Sequence, residues 1–354
     1  VGRRHLIHFD GQRWTSVDNQ TGQAEVFQMD QPSLAAQVEF PSPDQAYSPW
    51  LQTWPRPAAD NGRCLHYLQY PAGDTYEIWE QVTRLEQLGV RWALVNYTSP
   101  AQLQQMAPIF ARAGIMVVWR PFVRPYQEYN HWAQDVMFLR GLGLPPYIQV
   151  YNEPSLGQEW DGQPIDQALY LDHLVAALRQ VESAGGLAGL QQIDLDWTRA
   201  MLQRLSAEGF DLRRTFFIPH PYGANHPPDY REDPNGVLSF LDYARVFQEE
   251  IGYVPMMIAG EGGWRLGENA DTRYPPINEE LHRDFHVAVF DWFRTGQLSN
   301  GDSLPDYLFA FCPWLLSDPF DPAAWYDSAA GDRQLTIDAV KALPSFERRF
   351  GWDN

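Results

Sequence analysis

Lysine is almost missing from this chain: of 26 basic residues, only Lys341 is not an arginine. No Lys/Arg-rich run occurs, and 45 acidic residues bring the formal net charge to −19. Such a surface offers a polyanion no electrostatic attraction, so nucleic acid is not an expected partner. The lysine deficit reads as genome composition, since arginine enrichment alone is a poor index of thermostability. Cysteine is scarce too. Cys64 and Cys312 are too few for a disulfide scaffold, and neither has a second Cys or a His at zinc-site spacing. No apolar run approaches the roughly 20 residues that span a bilayer. The first residues, Val1-Gly2-Arg3-Arg4-His5, lack both Met and the apolar core of a signal peptide. The expectation is a secreted or cell-surface protein trimmed from a longer precursor, with the cytoplasm as the alternative. Nothing in the sequence speaks to oligomeric state.

What is present is apolar surface: 44% of the 354 residues are hydrophobic and 14% aromatic, enough for a large core. One big domain of roughly 250–300 residues with an appendage fits this length. Residues 1 to about 28 hold three short β-like pieces, "HLIHF", "QRWTSV" and "AEVFQM", separated by turn signals. The Pro-, Gln- and Ser-rich stretch that follows reads as loop or linker, so residues 1–58 are expected to be an extension and 59–354 the main domain.

Beyond residue 58, apolar runs alternate with helix-period segments eight times over about 290 residues. "CLHYLQYP" (64–71) precedes a helix that Asp74 can cap, and "VRWALVNY" (90–97) precedes one with Ser99 at the cap and Pro100 at the first position. "IMVVWRPF" (115–122) leads to a helix near 127–141, and "YIQVYNEP" (147–154) to one near 165–183. "LAGLQQI" (187–193) leads into "DWTRAMLQRLSAEG". "TFFIPHPYG" (215–223), "VPMMIAGEG" (254–262) and "DYLFAFCPWLL" (306–316) precede helices near 236–250, 278–295 and 333–348. Eight strand-then-helix units predict an α/β fold, a (β/α)8 TIM barrel, whose strands are buried on both sides and read as continuous apolar runs. A doubly wound open sheet is the competitor, but it would carry a glycine-rich phosphate turn after its first strand, and "QYPAGDTY" is not one.

In such a barrel the carboxyl ends of the strands build the active site. The residues there are His66 and Gln69, Asn96 and Tyr97, Trp119 and Arg120, Asn152 and Glu153 on the first four strands. Gln192 and Asp194, His220 and Tyr222, Glu261, and Trp314 with Asp318 follow on the last four. Two glutamates stand out: Glu153 ends the fourth strand and Glu261 the seventh. A lone Asn-Glu-Pro is weak evidence, because Asn and Pro form turns and Glu favours helix starts. Two carboxyl groups facing each other across a cleft, however, are what glycosidic bond cleavage requires, one protonated to serve the leaving oxygen and one ionised to meet positive charge at the sugar carbon.

"YNEP" after the fourth strand and "AGEGG" after the seventh resemble clan A of the glycoside hydrolases, retaining (β/α)8 enzymes, with families 5 and 39 nearest in character. That resemblance implies Glu153 as acid/base, Glu261 as nucleophile, Asn152 as a ligand of the substrate 2-hydroxyl, Tyr222 as hydrogen-bond partner of the nucleophile with His220 close by, and Trp314 as a sugar platform. The clan's arginine beside the nucleophile comes from the second strand, where this chain has Asn96-Tyr97; Arg120 on the third is the candidate in its place. His66 and Asn96 complete the expected substrate-binding set. No cofactor or metal is implied, and the partner is a carbohydrate, a β-glycan or oligosaccharide.

Other groupings point elsewhere. His282 and His286 have the spacing of a zinc-binding pair, but Arg283 follows where a metalloprotease has its base, and both fall on the outer ring; structural or exposed histidines are expected. "LHYLQ" offers no His-x-His for a metal-dependent barrel hydrolase. Cys64 and Cys312 lie on neighbouring strands at different apparent depths, so two buried thiols are expected. Asn19-Gln20-Thr21 matches a glycosylation sequon, relevant only in a eukaryotic secretory host. Long loops after the third, fourth, sixth and seventh strands are rich in Trp, Tyr, Arg, Asp and Asn, which suits a walled cleft closing on a short oligosaccharide or chain end. A transglycosylase with the same residues and a carbohydrate-binding barrel without catalysis are the alternatives.

Overall fold

The computed structural model describes residues 5–9, 14–18, 23–27, 50–68 and 75–353. Strands β1 (His5–Phe9), β2 (Trp14–Asp18) and β3 (Ala24–Phe27) form an antiparallel three-stranded sheet in sequence order. Asp74, Gln69 and the Asn19 sequon lie outside the described residues.

The expected barrel follows. Its strands are β4 (Cys64–Leu68), β5 (Trp92–Tyr97), β6 (Met116–Pro121) and β7 (Tyr147–Val150), then β8 (Leu187–Gln191), β9 (Thr215–Ile218), β10 (Met257–Ala259) and β11 (Leu308–Phe311). They pair in chain order, and every pairing is parallel. The seam between β11 and β4 closes through a parallel bridge of Arg63 with Phe311, with the Phe311 N–H donating to Gly62 O at 3.1 Å. Helices alternate with the strands: α1 (Thr75–Gln87), α2 (Pro100–Arg112), α3 (Trp132–Gly141), α4 (Gln167–Ser183), α5 (Leu195–Ala207), α6 (Phe240–Ile251), α7 (Glu279–Thr295) and α8 (Gln334–Ala342).

Local chemistry sets these boundaries. Ser99 Oγ accepts the Gln102 N–H at 3.3 Å with Pro100 at the first helical position, while Asp166, Asp194 and Asn278 cap α4, α5 and α7 in the same way. Glycines in the left-handed conformation, Gly252 and Gly296, stop α6 and α7. Helix α8 ends at Ala342, six residues before the expected 348, because Pro344 forces Leu343 into an extended conformation. Helix α3 begins later than the apolar periodicity suggests, at Trp132.

Strand alternation divides the core in two. Ala93, Val95 and Tyr97 of β5 face the helices, whereas Trp92 and Leu94 face the barrel axis with Met116, Val118, Phe216 and Ile258. Trp50, Leu51 and Trp54, from the segment read as linker, belong to this inner cluster, as does Phe350. Trp54 stacks on Tyr147 at 6.0 Å, and the Trp50 Nε1 donates to Arg213 O at 2.8 Å.

Two expectations about side chains need correction or sharpening. Cys64 and Cys312 are not free thiols but a disulfide, with Cα atoms 4.2 Å apart. The bridge register of Arg63 with Phe311 explains it: one residue on, Cys64 and Cys312 stand at equal depth on β4 and at the end of β11. His282 and His286 are fully buried and structural: His282 Nδ1 lies 2.6 Å from Thr336 Oγ1, and His286 Nδ1 donates to His282 O at 2.7 Å.

The disulfide joins residues 248 positions apart, the first and last barrel strands. The chain-entropy cost that such a link removes from the unfolded state is about 5 kcal/mol as an upper figure, with about 2–4 kcal/mol typical. Replacing both cysteines with alanine should lower the calorimetric Tm by about 5 °C or more. An unchanged Tm would show that strand pairing alone holds the seam.

Candidate active site

The same alternation that sends Leu94 inward sends polar residues inward at the strand ends. His66 (β4), Asn96 (β5), Arg120 (β6), Gln149 (β7) and Gln191 (β8) form a buried polar tier above the apolar one. Their neighbours Tyr97, Trp119 and Gln192 point outward instead. Tyr97 donates to Asp135 at 2.6 Å, Trp119 packs edge-on to Phe110, and Gln192 donates to the Tyr170 hydroxyl at 3.0 Å. Asp194 is a helix cap, and Asp318 accepts the backbone N–H groups of Phe320 and Asp321. None of these five lines the cleft.

After β7 the backbone turns sharply. Tyr151 and Glu153 take positive φ values of 60° and 37°, a conformation costing on the order of 1–3 kcal/mol at each non-glycine residue. The Gln191 side-chain carbonyl accepts the Glu153 N–H, and Glu153 O accepts the Leu156 N–H at 2.9 Å, which holds the turn. Glu153 is thereby presented at the barrel mouth, 8% exposed, its Oε1 2.8 Å from His220 Nδ1.

Glu261, at the end of β10, sits in a ring of donors. Arg120 pairs with its Oε1, the Tyr222 hydroxyl donates to Oε2 at 3.1 Å, and His66 Nε2 lies 3.5 Å from Oε1. His220 Nδ1 is also 3.6 Å from Oε2, so this histidine stands between the two carboxylates. Burial pushes the Glu261 carboxyl up, but His220, the Arg120 guanidinium and the His66 contact outweigh it and hold the group well below the usual carboxylate range. Burial lowers His66 to about 4 despite Glu261, so it is a neutral neighbour. Burial, then the charge of Glu261, raises the Tyr222 phenol well above its usual value and keeps it a donor.

Asn152 is fixed in orientation. Its Oδ1 accepts from Arg120 at 2.9 Å and from Gln149 at 3.0 Å, while its Nδ2 donates to Glu159 at 3.1 Å. Since Arg only donates and a carboxylate only accepts, the second Nδ2 hydrogen remains for a ligand. Trp314 Nε1 donates to Asp321 at 2.7 Å, and its ring lies 4.5 Å from that of His66. The peptide that follows it, Trp314–Leu315, is cis.

A cavity of about 660 Å³ opens over these groups. Of the nine residues expected to form the site, eight line it: Asn96, Arg120, Asn152, Glu153, His220, Tyr222, Glu261 and Trp314. His66 lies deeper, in contact with Glu261 and Trp314. One ligand atom each of Glu153, His220 and Glu261 lies within 4.8 Å of the other two, a spacing a cation could bridge. Arg120 and Tyr222 already occupy the two oxygens of Glu261, which makes this a poor cation site.

Several residues of the site lie outside the expected set. Gln149 and Gln191, buried beneath the cavity where they hold Asn152 and Glu153, are glutamines inside apolar strands, an anomaly that alternation could have flagged. Glu159 has no such signal; it arrives from the 3-10 turn Gly157–Trp160 and is held by Arg124 at 2.5 Å. Phe122, Leu156, Ile193 and Arg265 also reach the cavity from loops.

No family model and no curated protein matches the chain. Among solved structures it is similar to a family 39 glycoside hydrolase from the gut symbiont Bacteroides cellulosilyticus WH2, with a TM-score of 0.52 and 11% identity over 94% of this chain and 70% of that one. A β-1,3-glucanase and allergen of Cryptomeria japonica pollen aligns with a TM-score of 0.47 and 10% identity over 72% and 89% of the two chains. A β-glucosidase from Thermotoga maritima aligns with a TM-score of 0.42 and 10% identity over 71% and 79%. The first of these likenesses establishes the fold.

The buried histidines set an acid sensitivity. His66 and His286 are each lowered to about 4 by burial, so on unfolding they regain an ordinary value near 6.5 and bind protons. The unfolded state then holds more protons between pH 6.5 and 4, and stability should fall as pH falls through that window. Urea midpoints measured from pH 8 to 4 would show the decline; a flat profile would mean the histidines titrate while buried.

Proposed function

We propose that this chain is a retaining glycoside hydrolase that cleaves β-linked glycosidic bonds by double displacement. The observation that carries the reading is the pairing of an arginine-held Glu261 carboxylate with Glu153, oxygens of the two lying within 4.8 Å. Retaining enzymes hold their carboxyl groups about 5–5.5 Å apart, whereas inverting ones need about 6.5–9.5 Å to admit a water.

Glu261 attacks the anomeric carbon. As the new C1–O bond forms and the glycosidic C1–O bond breaks, Glu153 passes its proton to the departing oxygen. The ionised Glu153 then takes a proton from water, whose oxygen displaces Glu261 and releases the sugar. Asn152 donates its free Nδ2 hydrogen to the substrate 2-hydroxyl, and Tyr222 and Arg120 hold Glu261 as a carboxylate between turnovers. Trp314 supplies a flat face for the sugar. The Cys64–Cys312 disulfide supports residence in an oxidising, extracytoplasmic compartment.

A panel of aryl β-glycosides with β-glucan, mannan and xylan tests the activity. Glu261→Ala should lower kcat by on the order of 10⁴-fold or more and Glu153→Ala by about 10²–10⁴-fold. Azide should restore turnover to both, giving the α-glycosyl azide with Glu261→Ala and the β-azide with Glu153→Ala, because it enters from the face each carboxylate vacates. A wild type inert on the whole panel would instead favour a carbohydrate-binding barrel, and a single azide anomer from both variants would remove the double displacement.

A further inference from the structure

The cavity is chemically two-sided. Around Glu261 it is lined by groups that hydrogen-bond hydroxyls: Asn96, Arg120, Asn152 and Tyr222. Beside Glu153, past its polar partner His220, two lining residues are aliphatic. Leu156 belongs to the Glu153 turn itself, its N–H on Glu153 O at 2.9 Å. Ile193 follows two residues after Gln191, whose side chain holds the Glu153 N–H. Phe122, 53% exposed, lines the same cavity with one side of its ring covered by the Arg124 guanidinium at 4.8 Å. These three side chains line the cavity, are not fully buried, and offer a ligand no hydrogen bond.

Glu153 is the proton donor in the reading above, and the leaving group must lie on its side of the scissile bond. Those hydroxyls of a second sugar that face Leu156 and Ile193 would lose water without gaining partners there, which is costly for each polar group. An alkyl or aryl group would lose only apolar hydration.

Resting on the glycosidase reading, we infer that the subsite bounded by Leu156, Ile193 and Phe122 accepts an apolar aglycone, so that the preferred substrates are β-glycosides of hydrophobic alcohols or phenols rather than internal bonds of a polysaccharide. Gln158 and Asn235, both exposed, line the same cavity and can meet the polar end of such an alcohol. On cleavage the aglycone leaves as the neutral alcohol, its oxygen protonated by Glu153, and water supplies the hydroxyl of the free sugar.

The test starts with wild-type protein and β-glycosyl fluorides of glucose, galactose, mannose and xylose, which need neither aglycone nor acid. With the accepted sugar, kcat/KM is then measured for its methyl, butyl, hexyl and octyl β-glycosides and for the β-linked disaccharide. Each methylene laid against the wall should raise kcat/KM about 3- to 4-fold, so with about three of the added methylenes in contact the gain from methyl to octyl is on the order of 50-fold. The disaccharide should fall near the methyl glycoside. Ile193→Asn and Leu156→Asn should each flatten the alkyl series, lowering the octyl-to-methyl ratio at least several-fold. A ratio near one in the wild type, a disaccharide as good as the octyl glycoside, or a slope that survives both substitutions overturns the apolar subsite while leaving the glycosidase reading intact. No turnover of any fluoride removes that reading, and the subsite with it.

Discussion

The buried ion pair between Arg120 and Glu261 is the contact on which the mouth of this barrel depends. Removing a carboxylate from water costs several kcal/mol unless the charge is met, and here it is met by a guanidinium from the third barrel strand, with Tyr222 and His66 completing the set. Arg120 also fixes Asn152, and through Gln149 and Glu159 the network reaches the loop that carries Glu153. One guanidinium therefore links the end of β6 to the ends of β7 and β10, and the geometry of the two carboxylates follows from it.

The rest of the chain supplies rigidity for that network. Below the polar tier, the barrel axis is filled by apolar residues and plugged by Trp50, Leu51, Trp54 and Phe350. The disulfide of Cys64 with Cys312 ties the seam at the level of this apolar tier. A site built on strand ends above a close-packed core can hold its side chains within a fraction of an ångström, as electrostatic catalysis demands. The strained φ values at Tyr151 and Glu153 fall within the same structure, at the turn that delivers a carboxylate to the cleft.

Different loops give the two halves of the cavity their character. Strand ends contribute hydrogen-bonding groups such as Asn96 and Arg120, while residues just past the strands, Leu156, Ile193 and Phe122, add apolar surface to the cavity. The polar groups thus come from the barrel rim, and the apolar ones from segments that follow the strands.

Much of this was readable without coordinates. Parallel strands buried on both faces appear as continuous apolar runs, helices announce themselves through periodicity and through caps such as Ser99, and polar residues that interrupt a run's end mark the rim, which is how Glu153, Glu261 and Arg120 could be picked out. Three things were decided only in three dimensions. The pairing of Cys64 with Cys312 depends on the register of the barrel seam, which no local pattern encodes because the two strands are 248 residues apart. The division between inward Asn96 and outward Tyr97, or inward Gln191 and outward Gln192, depends on strand phase, and a slip of one residue exchanges them. Glu159, Leu156 and Ile193 lie on turns whose direction is set by tertiary contacts, so their place in the cleft follows from packing and not from spacing.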